Sequence, residues 1–321
     1  MGTEKTNHAS ITPITTTDLS AYFSKIAQGK VRDIYAIDHD ILLFVATDRV
    51  SAYDVVLKNG IPNKGALLTL LSRFWFSLLP TLIPSLKTHF LTLDLPSSLQ
   101  NSDLAPSFHN RSMQVRRYKK LFAIESIVRG YITGSAWSEY KKTGTVHGIA
   151  MPTGLQESAK LEKPLWTPST KAEQGLHDEN ISPEKAAEIV GAEYAKRIEE
   201  LSLEIYCKAR DYAAERGIII ADTKFEFALD TSASNPADAV ILVDEVLTPD
   251  SSRFWPAAKY QVGKTQESLD KQFLRDWLTK EGLKGKEGVE MPEEVAKRTA
   301  DGYREAFEKL AGKSFEAALT E

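Results

Sequence analysis

Residues 218–227, which read IIIADTKFEF, constrain the fold of this chain more than any other segment. An apolar run followed by alternating polar and apolar residues is typical of a strand inside a β-sheet. Because side chains alternate across a strand, Asp222, Lys224 and Glu226 share one face, and the phenylalanines share the other. Three charged groups on a largely buried strand are costly unless they pair or bind a ligand. The segment therefore predicts a sheet with a core face and a charged face, which is either a ligand site or a solvated surface of ordinary ion pairs.

A second predicted strand, over residues 239–246, ends in Asp244 and Glu245. If the two strands form a hairpin, the carboxylates of Glu226 and Asp244 converge at one end of it. Magnesium bound to a nucleotide takes one or two protein carboxylates and completes its shell with phosphate oxygens and water. The hairpin is therefore a candidate metal site, in which Lys224 could bind phosphate or hold a carboxylate in place.

Two turns combine an arginine with short polar residues. The residues concerned are Asp250, Ser252 and Arg253 in TPDSSRFW, and Arg129, Gly134 and Ser135 in VRGYITGS. Arginine binds a phosphate or carboxylate through two parallel hydrogen bonds, and glycine lets a ligand approach the backbone closely. Each turn is either an anion site or a simple connection between elements.

The N-terminal third contains two weaker candidates. A glycine turn with alternating basic residues, formed by Gly29, Lys30, Val31 and Arg32, begins a predicted hairpin. Such a turn is similar to the loops that cover nucleotide phosphates in kinases, but a single glycine also fits a solvated edge strand. Polar residues after a predicted buried strand form the second candidate, which is either a ligand site or a turn with internal hydrogen bonds: Asp48, Ser51 and Asp54.

Residues 144–182 are predicted to form a long loop, because they contain three prolines and four glycines. Loops of this length inside a compact domain are usually functional or disordered. The candidate ligand contacts in it are Lys171, His177 and Asp178. The adjacent histidine and aspartate also suit an ordinary hydrogen bond or a zinc ligand pair, although the chain has no HExxH motif.

Composition narrows the class of protein. The chain has 321 residues and a formal net charge of −4, which argues against a dedicated nucleic-acid or membrane-surface protein. The lone Cys207 excludes an intramolecular disulfide and a cysteine-based zinc site, and it is typical of a reducing compartment such as the cytoplasm. The apolar stretch 67–84 contains Arg73 and two prolines, so we expect a buried helix and not a membrane span.

The remaining pattern predicts an α+β protein of two lobes with a cleft between them. Residues 1–17 are predicted to be a flexible tail. Strands are predicted over residues 30–37, 41–46, 112–118 and 122–129, with the last two paired, and a helix over 65–79. The proline-rich residues 80–106 are predicted to be irregular. A helical pattern over 183–216 breaks at Gly191, and two C-terminal helices are predicted, one capped near Ser268 and one starting at Pro292.

Read together, these segments resemble the phosphoribosylaminoimidazole-succinocarboxamide (SAICAR) synthetase family, a group of purine-pathway ligases, in its fungal single-function form. The matching stretches run from residue 29 to about 278. They are GKVRDIY, LLFVATDRVSAYD, IVRGYITGSAW, TPSTKAEQGLHDENIS, IIIADTKFEF, ILVDEVLTPDSSRFW and DKQFLRDWL.

The resemblance implies an enzyme that joins the carboxylate of carboxyaminoimidazole ribonucleotide (CAIR) to the amine of L-aspartate. ATP and Mg²⁺ are expected to drive the reaction through an acyl phosphate, giving SAICAR, ADP and phosphate. The implied fold has a kinase-like N-terminal β lobe over residues 18–120 and an ATP-grasp-like C-terminal α/β lobe over 121–321, with ATP in the cleft. The family form also implies a monomer with no nucleic-acid or membrane partner.

The same resemblance implies roles for the candidate residues. Those expected to bind the nucleotide are Gly29, Lys30, Val31, Arg32, Glu226 and Asp244, the last two through Mg²⁺. Those expected to act in catalysis are Asp222, Lys224, Asp250 and Arg253. Those expected to bind substrate are Arg129, Gly134, Ser135, Asp48, Ser51, Asp54, Lys171, His177, Asp178 and Ser252, with Arg129 and Ser135 on the CAIR phosphate.

Two other classes of function remain open from the residues. A small-molecule kinase on the same two-lobed plan would stop at a phosphorylated substrate. A nucleotide-sensing protein would have lost the chemistry, but the candidate metal carboxylates and both candidate phosphate sites argue against that class.

Overall fold

The computed structural model describes residues 12–171 and 178–321. The elements of its N-terminal part are β1 (Ser24–Gln28), β2 (Arg32–Ala36), β3 (Ile41–Ala46), β4 (Ser51–Ala52), β5 (Val55–Val56), α1 (Lys64–Leu82), β6 (Lys87–Thr88), β7 (Phe90–Thr92), α2 (Ser97–Gln100), α3 (Ala105–Phe108) and β8 (Ser112–Arg116). Five of these strands form an antiparallel sheet in the order β1-β2-β3-β8-β7.

A second, larger sheet is formed mostly by the rest of the chain, with β6 as its strand from the N-terminal part. The elements from there on are β9 (Lys120–Leu121), β10 (Ile124–Tyr131), α4 (Gly134–Thr143), β11 (Thr145–Val146), β12 (Ile149–Ala150), β13 (Lys160–Trp166), β14 (Ser169–Thr170), α5 (Pro183–Val190), α6 (Ala192–Ala214), β15 (Ile218–Leu229), α7 (Pro236–Ala239), β16 (Val240–Val243), β17 (Ser252–Pro256), a 3₁₀ turn (Ala257–Lys259), α8 (Gln272–Lys280), α9 (Glu293–Ala311) and α10 (Phe315–Leu319). The sheet order is β13-β10-β15-β16-β6, with β9, β14 and β17 pairing beside this path.

Strand β15 is the centre of the second sheet. One edge of β15 pairs with β10. The other edge pairs with β17 near the start of β15 and with β16 near the end of β15. The predicted hairpin of β15 and β16 is confirmed, with Glu226 opposite Val243. The predicted alternation also holds, because Phe225 and Phe227 are fully buried while Lys224 and Glu226 reach the opposite face half-buried.

The pairing predicted between residues 112–118 and 122–129 is wrong. Strand β8 pairs with β3 and β7 in the first sheet, whereas β10 belongs to the second. The short basic segment between them carries the chain from one sheet to the other. Sequence adjacency favours a local hairpin, but the apolar face of each strand packs against a different partner.

The long loop predicted over residues 144–182 is also partly wrong, because it contains strands β11, β12, β13 and β14. Strand β13 pairs with β10, with Val128 opposite Trp166. It lies at the edge of the sheet, where Pro164 and exposed charged residues are tolerated, and these residues conceal the strand in the sequence.

Helix α1 is the core helix predicted from its apolar spacing, and it extends the predicted 65–79 to Leu82 with Pro80 inside it. It is long and apolar enough to pass as a membrane span on length and composition, yet 61% of its apolar stretch is buried inside the structure. Its side chains join those of α6, α9 and both sheets in one hydrophobic core. The irregular structure predicted for 80–106 gives way to the end of α1, to β6 and β7, and to two short helices.

The predicted starts of α5 and α9 and the predicted break between α5 and α6 are confirmed, one predicted cap is wrong, and α4, α7 and α10 were not predicted. Ser182 caps α5 by accepting a hydrogen bond from the amide of Lys185 (3.2 Å), and Gly191, at φ +95°, separates α5 from α6. Helix α9 follows Pro292 as predicted. The cap predicted near Ser268 is wrong, because its hydroxyl donates to the carbonyl of Phe254 (3.0 Å), four residues before α8 begins.

The flexible tail predicted over residues 1–17 extends too far. Residues 1–11 lie outside the described residues. From there on the chain is bound to the first sheet: the amide of Ile14 donates to Asp48 (2.8 Å), and the buried hydroxyl of Thr17 donates to Asp33 (2.5 Å). The threonine-rich residues 12–17 therefore form part of the folded structure.

The close approach of β10 to α6 gives a test of the core packing. A Cβ at Gly130 would lie 1.9 Å from the hydroxyl oxygen of Tyr206, which donates to the carbonyl of Ile220 (2.7 Å). We expect Gly130→Ala to lower the free energy of unfolding by about 1–3 kcal/mol through overpacking. Denaturant titration of Gly130→Ala, Tyr206→Phe and the double variant measures this. The double variant should lose less than the sum of the single changes, and additive losses would contradict the contact.

Candidate functional site

At one end of the charged face of β15, one buried carboxylate is held by two arginines. Asp222 lies opposite Arg129 of β10 and Arg253 of β17. Arg129 donates to Asp222 Oδ2 from Nη1 (3.1 Å), and Arg253 donates to the same oxygen. Two guanidinium groups on one carboxylate leave a local positive charge, which favours an anionic ligand.

The turn after β10 adds short polar groups to this cluster. Arg129 donates from Nη2 to the hydroxyl of Ser135 (3.3 Å) and from Nε to the hydroxyl of Thr167 (3.0 Å). Gly134, at φ +58°, starts helix α4, and a Cβ there would lie 2.8 Å from Nη2 of Arg253. The backbone conformation therefore favours glycine, and a larger residue would displace the guanidinium of Arg253.

A cavity of about 710 Å³ opens beside these residues. Among the predicted site residues, its lining includes Asp54, Gly134, Ser135 and Arg253. We call it the anion cavity, because its other charged lining residues are mostly basic: Lys141, Arg275 and Lys284, with Glu157 as the acid.

At the other end of the same face, two carboxylates face three cations. Glu226 accepts hydrogen bonds from Lys171 and from Lys224 (3.4 Å), and Asp244 accepts one from Arg32. Asp244 directly follows Val243, the cross-strand partner of Glu226. It adopts φ +65°, an uncommon conformation for a residue other than glycine. The structure thus brings together the two carboxylates predicted to bind metal.

The charges around Asp244 keep it ionised. Burial alone would raise its pKa, but Arg32, Lys224 and Lys171 together hold the pKa of Asp244 below its ordinary value. Burial alone would lower the pKa of Lys224. The carboxylates of Glu226 and Glu125 outweigh this effect and raise the pKa above its ordinary value. Both groups therefore carry full charge near neutral pH.

The acidic pair suits a metal ion that arrives with a ligand. Among residues 12–171 and 178–321, no group of three or more histidine, cysteine, aspartate or glutamate side chains is arranged to hold a metal ion. Magnesium bound to a nucleotide needs only one or two protein carboxylates. Glu226 and Asp244 fit that requirement, with lysine and arginine side chains beside them for phosphate oxygens.

The glycine turn lies beside the acidic pair. Gly29 and Val31 belong to the turn between β1 and β2, and Lys30 forms an exposed ion pair with Asp54 (2.5 Å). Arg32 is buried, with its guanidinium on Asp244, 3.7 Å from Glu245 and over the ring of Phe44. Arg32 therefore joins the first sheet to the acidic end of the second.

Asp48 is the first of two predicted site residues that do not reach the site. It is fully buried, and its carboxylate accepts from the amides of Ile14 (2.8 Å) and Gly65 (2.9 Å) and from Arg111 (2.9 Å). With its oxygens satisfied inside the protein, Asp48 braces the start of α1 and does not line the substrate side.

Asp250 is the second predicted site residue that does not reach the site. Its carboxylate is enclosed by Lys64 (2.7 Å), Lys271 (3.1 Å) and the hydroxyl of Tyr303 (2.6 Å). Although burial alone would raise it, the pKa of Asp250 is lowered by Lys271 and Lys64. The predicted catalytic role at the cleft is therefore replaced by a structural one, in which Asp250 anchors its turn to α1 and α9.

The remaining predicted residues lie around the site or outside the description. The hydroxyl of Ser252 is buried against that of Thr223 (2.8 Å), which fixes the start of β17. Ser51 is half-buried in β4, close in sequence to Asp54. Asp178 is exposed, and His177 lies outside the described residues.

Sequence reasoning missed one acid at the centre of the site. Glu125 on β10 forms an ion pair with Lys224 and also lies 3.4 Å from the hydroxyl of Ser169, which donates to it. The sequence could have revealed Glu125, because it is four residues from Arg129 on one predicted strand and the two side chains therefore share a face. The basic residues at 141, 275 and 284 carry no such pattern, since they come from separate elements.

Comparison with known proteins identifies the family. The SAICAR synthetase family model matches residues 25–292. A phosphoribosylaminoimidazole-succinocarboxamide synthase from Pichia angusta is 56% identical over 306 residues, which cover 94% of this chain and 99% of that protein. The chain belongs to the SAICAR synthetase family. It is therefore a ligase of purine biosynthesis, as its motifs predict.

Solved structures of the family share the fold. A SAICAR synthase from Saccharomyces cerevisiae complexed with SAICAR superposes with a TM-score of 0.85 at 51% identity, covering 94% of this chain and 99% of that one. A structure of a SAICAR synthetase in complex with ADP gives a TM-score of 0.66 at 26% identity, covering 90% of this chain and 98% of that one. The predicted α+β fold of the family is confirmed.

Two glycines at the ends of α4 provide a matched test of the anion cavity. Gly134→Ala and Gly144→Ala each place a Cβ at positive φ, but a Cβ at 144 has nothing within 4 Å. Both variants should lose about 1–2 kcal/mol of stability from the left-handed backbone. Only Gly134→Ala displaces Arg253, so it alone should lower kcat/KM for SAICAR formation, by about tenfold or more. Equal kinetic losses in the two variants would contradict this role.

Proposed function

We propose that the chain forms SAICAR from CAIR and L-aspartate with ATP and Mg²⁺, releasing ADP and phosphate. The observation that carries the proposal is the charged face of β15, with a basic anion site at Asp222 and an acidic pair at Glu226 and Asp244. Four residues along a strand span roughly 13 Å. That separation suits a ribonucleotide whose phosphate lies at one end and whose reacting carboxylate approaches a nucleotide at the other.

The relatives support the two ligand classes. The Saccharomyces cerevisiae structure is of a complex with SAICAR, and the other SAICAR synthetase structure is of a complex with ADP. We therefore place the CAIR phosphate at Arg129, Gly134, Ser135 and Arg253, and the ATP phosphates at the acidic pair and the glycine turn. L-Aspartate is the amine donor that SAICAR formation requires.

The proposed chemistry proceeds in two steps. A carboxylate is a poor acyl donor because oxide is a poor leaving group. Transfer of the γ-phosphoryl group of ATP to a CAIR carboxylate oxygen releases ADP and forms an acyl phosphate. The aspartate amine then attacks the acyl carbon, phosphate leaves, and the nitrogen loses its excess protons to phosphate and solvent. Such catalysis depends on positioning and on neutralising phosphate charge.

The residues at the acidic end take complementary parts in this scheme. Glu226 and Asp244 would hold Mg²⁺, which neutralises and orients the nucleotide phosphates when bound. Lys30 and Arg32 are proposed to contact the phosphates, and Lys224 to hold the transferring group. Asp222 positions the arginines of the anion site. Lys171, Asp178, Ser51 and Asp54 are proposed on the substrate side.

The organisation of the molecule is part of the proposal. Residues 18–120, which contain the five-stranded sheet, are proposed as a kinase-like lobe, and residues 121–321, which supply most of the second sheet, as an ATP-grasp-like lobe. ATP would lie where Arg32 meets Asp244. We also propose a cytoplasmic monomer, which the lone, half-buried Cys207 suits.

The decisive experiment is a turnover assay with each substrate omitted in turn. Phosphate release from ATP should require CAIR and L-aspartate together, and mass spectrometry should find the succinocarboxamide product. ATP turnover that ignores both substrates would contradict the proposal. A stable phosphorylated CAIR as the final product would assign the chain to a small-molecule kinase.

Two variants, one beside each end of the charged face of β15, test the division of the site. Asp244→Asn removes metal charge, so kcat should fall by about 100-fold or more. Arg129→Ala removes an arginine from the anion site, so KM for CAIR should rise while KM for ATP changes little. Steady-state kinetics with each substrate varied at several Mg²⁺ concentrations measures both. If Arg129→Ala weakened ATP alone, the two phosphate sites would be exchanged.

A further inference from the structure

A buried arginine that has no part in the proposed reaction donates hydrogen bonds to the backbone of the glycine turn. Arg49 is 8% exposed and follows β3. Its Nη2 donates to the carbonyl of Gly29 (3.0 Å) and its Nε to the carbonyl of Lys30 (3.2 Å). One guanidinium therefore holds two consecutive peptide groups of the turn.

The rest of the turn is fixed in the same way. The carbonyl of Val31 accepts from both the amide (2.9 Å) and the hydroxyl (2.8 Å) of Thr47, and the carbonyl of Arg32 accepts from the amide of Gly29 (2.7 Å). All four carbonyls of the turn are therefore bound within the protein.

The orientation of the amides follows from peptide geometry. In a trans peptide the carbonyl of one residue and the N–H of the next point in opposite directions. With the carbonyls of Gly29 and Lys30 on Arg49, the N–H groups of Lys30 and Val31 point away from Arg49. Successive backbone N–H groups on one side of a turn make a concavity that binds phosphate.

Arg49 is itself held by a second set of contacts. Nη2 also donates to Asp33 (2.6 Å), a fully buried carboxylate, and Nη1 donates to the carbonyl of Thr15 (2.8 Å). Asp33 accepts in turn from Thr17 (2.5 Å) and Lys25 (3.2 Å). Residues 15 and 17 precede the stretch matched by the family model, so the N-terminal segment helps to hold the turn.

We propose that Arg49 is a positioning residue for the nucleotide phosphates, which fixes the glycine turn so that its amides and Lys30 face the ligand. The inference rests on the proposed nucleotide site. Arg49 acts through the backbone that it holds, and its guanidinium is covered by Asp33 and three carbonyl groups. Lysine in its place would keep the charge beside Asp33 but could not hold both turn carbonyls.

The test compares Arg49→Lys with a matched control. Arg111 is equally buried in the first sheet and pairs with Asp48 (2.9 Å), but it does not touch the glycine turn. Calorimetry with Mg·ADP and with AMP measures how much the second phosphate adds to affinity. Arg49→Lys should weaken ADP about 10- to 100-fold and AMP by less than about threefold. Arg111→Lys should leave the ratio of the two affinities unchanged.

The ratio of ADP affinity to AMP affinity in these variants decides whether Arg49 positions the turn. An unchanged ADP-to-AMP ratio in Arg49→Lys, or an equal loss in Arg111→Lys, overturns the positioning role. If Arg49→Lys does not fold, Thr17→Val, which removes one contact to Asp33, should lower the same ratio by about two- to threefold. An unchanged ratio in that variant also overturns the role. Failure of the unaltered chain to bind ADP would instead contradict the proposed nucleotide site.

Discussion

The two faces of strand β15 impose opposite demands, and the rest of the structure meets both. The face with Phe225 and Phe227 is dehydrated by α6 and the shared core. The face with Asp222, Lys224 and Glu226 cannot remain charged at this depth without partners. The protein supplies them from neighbouring strands and from the first sheet, so the charged face becomes a row of ion pairs. The proposed sites for the CAIR phosphate and for Mg²⁺ both lie on this face.

These ion pairs alternate in sign along the strand, which gives the site two different ends. Two guanidiniums on Asp222 leave positive charge at one end, while Glu226 and Asp244 bring two carboxylates close together at the other. A net charge of −4 is therefore compatible with a chain that handles anionic substrates. The anion cavity is locally basic, with Lys141, Arg253, Arg275 and Lys284 in its lining, although the chain as a whole is slightly acidic.

Alternation along a strand was the most reliable guide in the sequence. It correctly placed the charged face of β15 and its hairpin with β16, and the same rule applied to β10 would have found Glu125. Sequence motifs alone misassigned Asp48 and Asp250, because a carboxylate in a polar turn looks the same whether it binds a ligand or is enclosed by Arg111 or Lys64. Burial and the identity of its partners distinguish the two cases.

The sequence by itself determined the family, the core helix α1, the central hairpin and the residue types available for chemistry, because these depend on local periodicity and on motifs. Only the tertiary structure decided that β8 and β10 belong to different sheets, that Arg32 reaches Asp244, and that residues 12–17 help to hold the glycine turn. These are contacts between residues distant in the chain. Which partner satisfies a buried charge is set by packing, and packing leaves no periodic trace in the sequence.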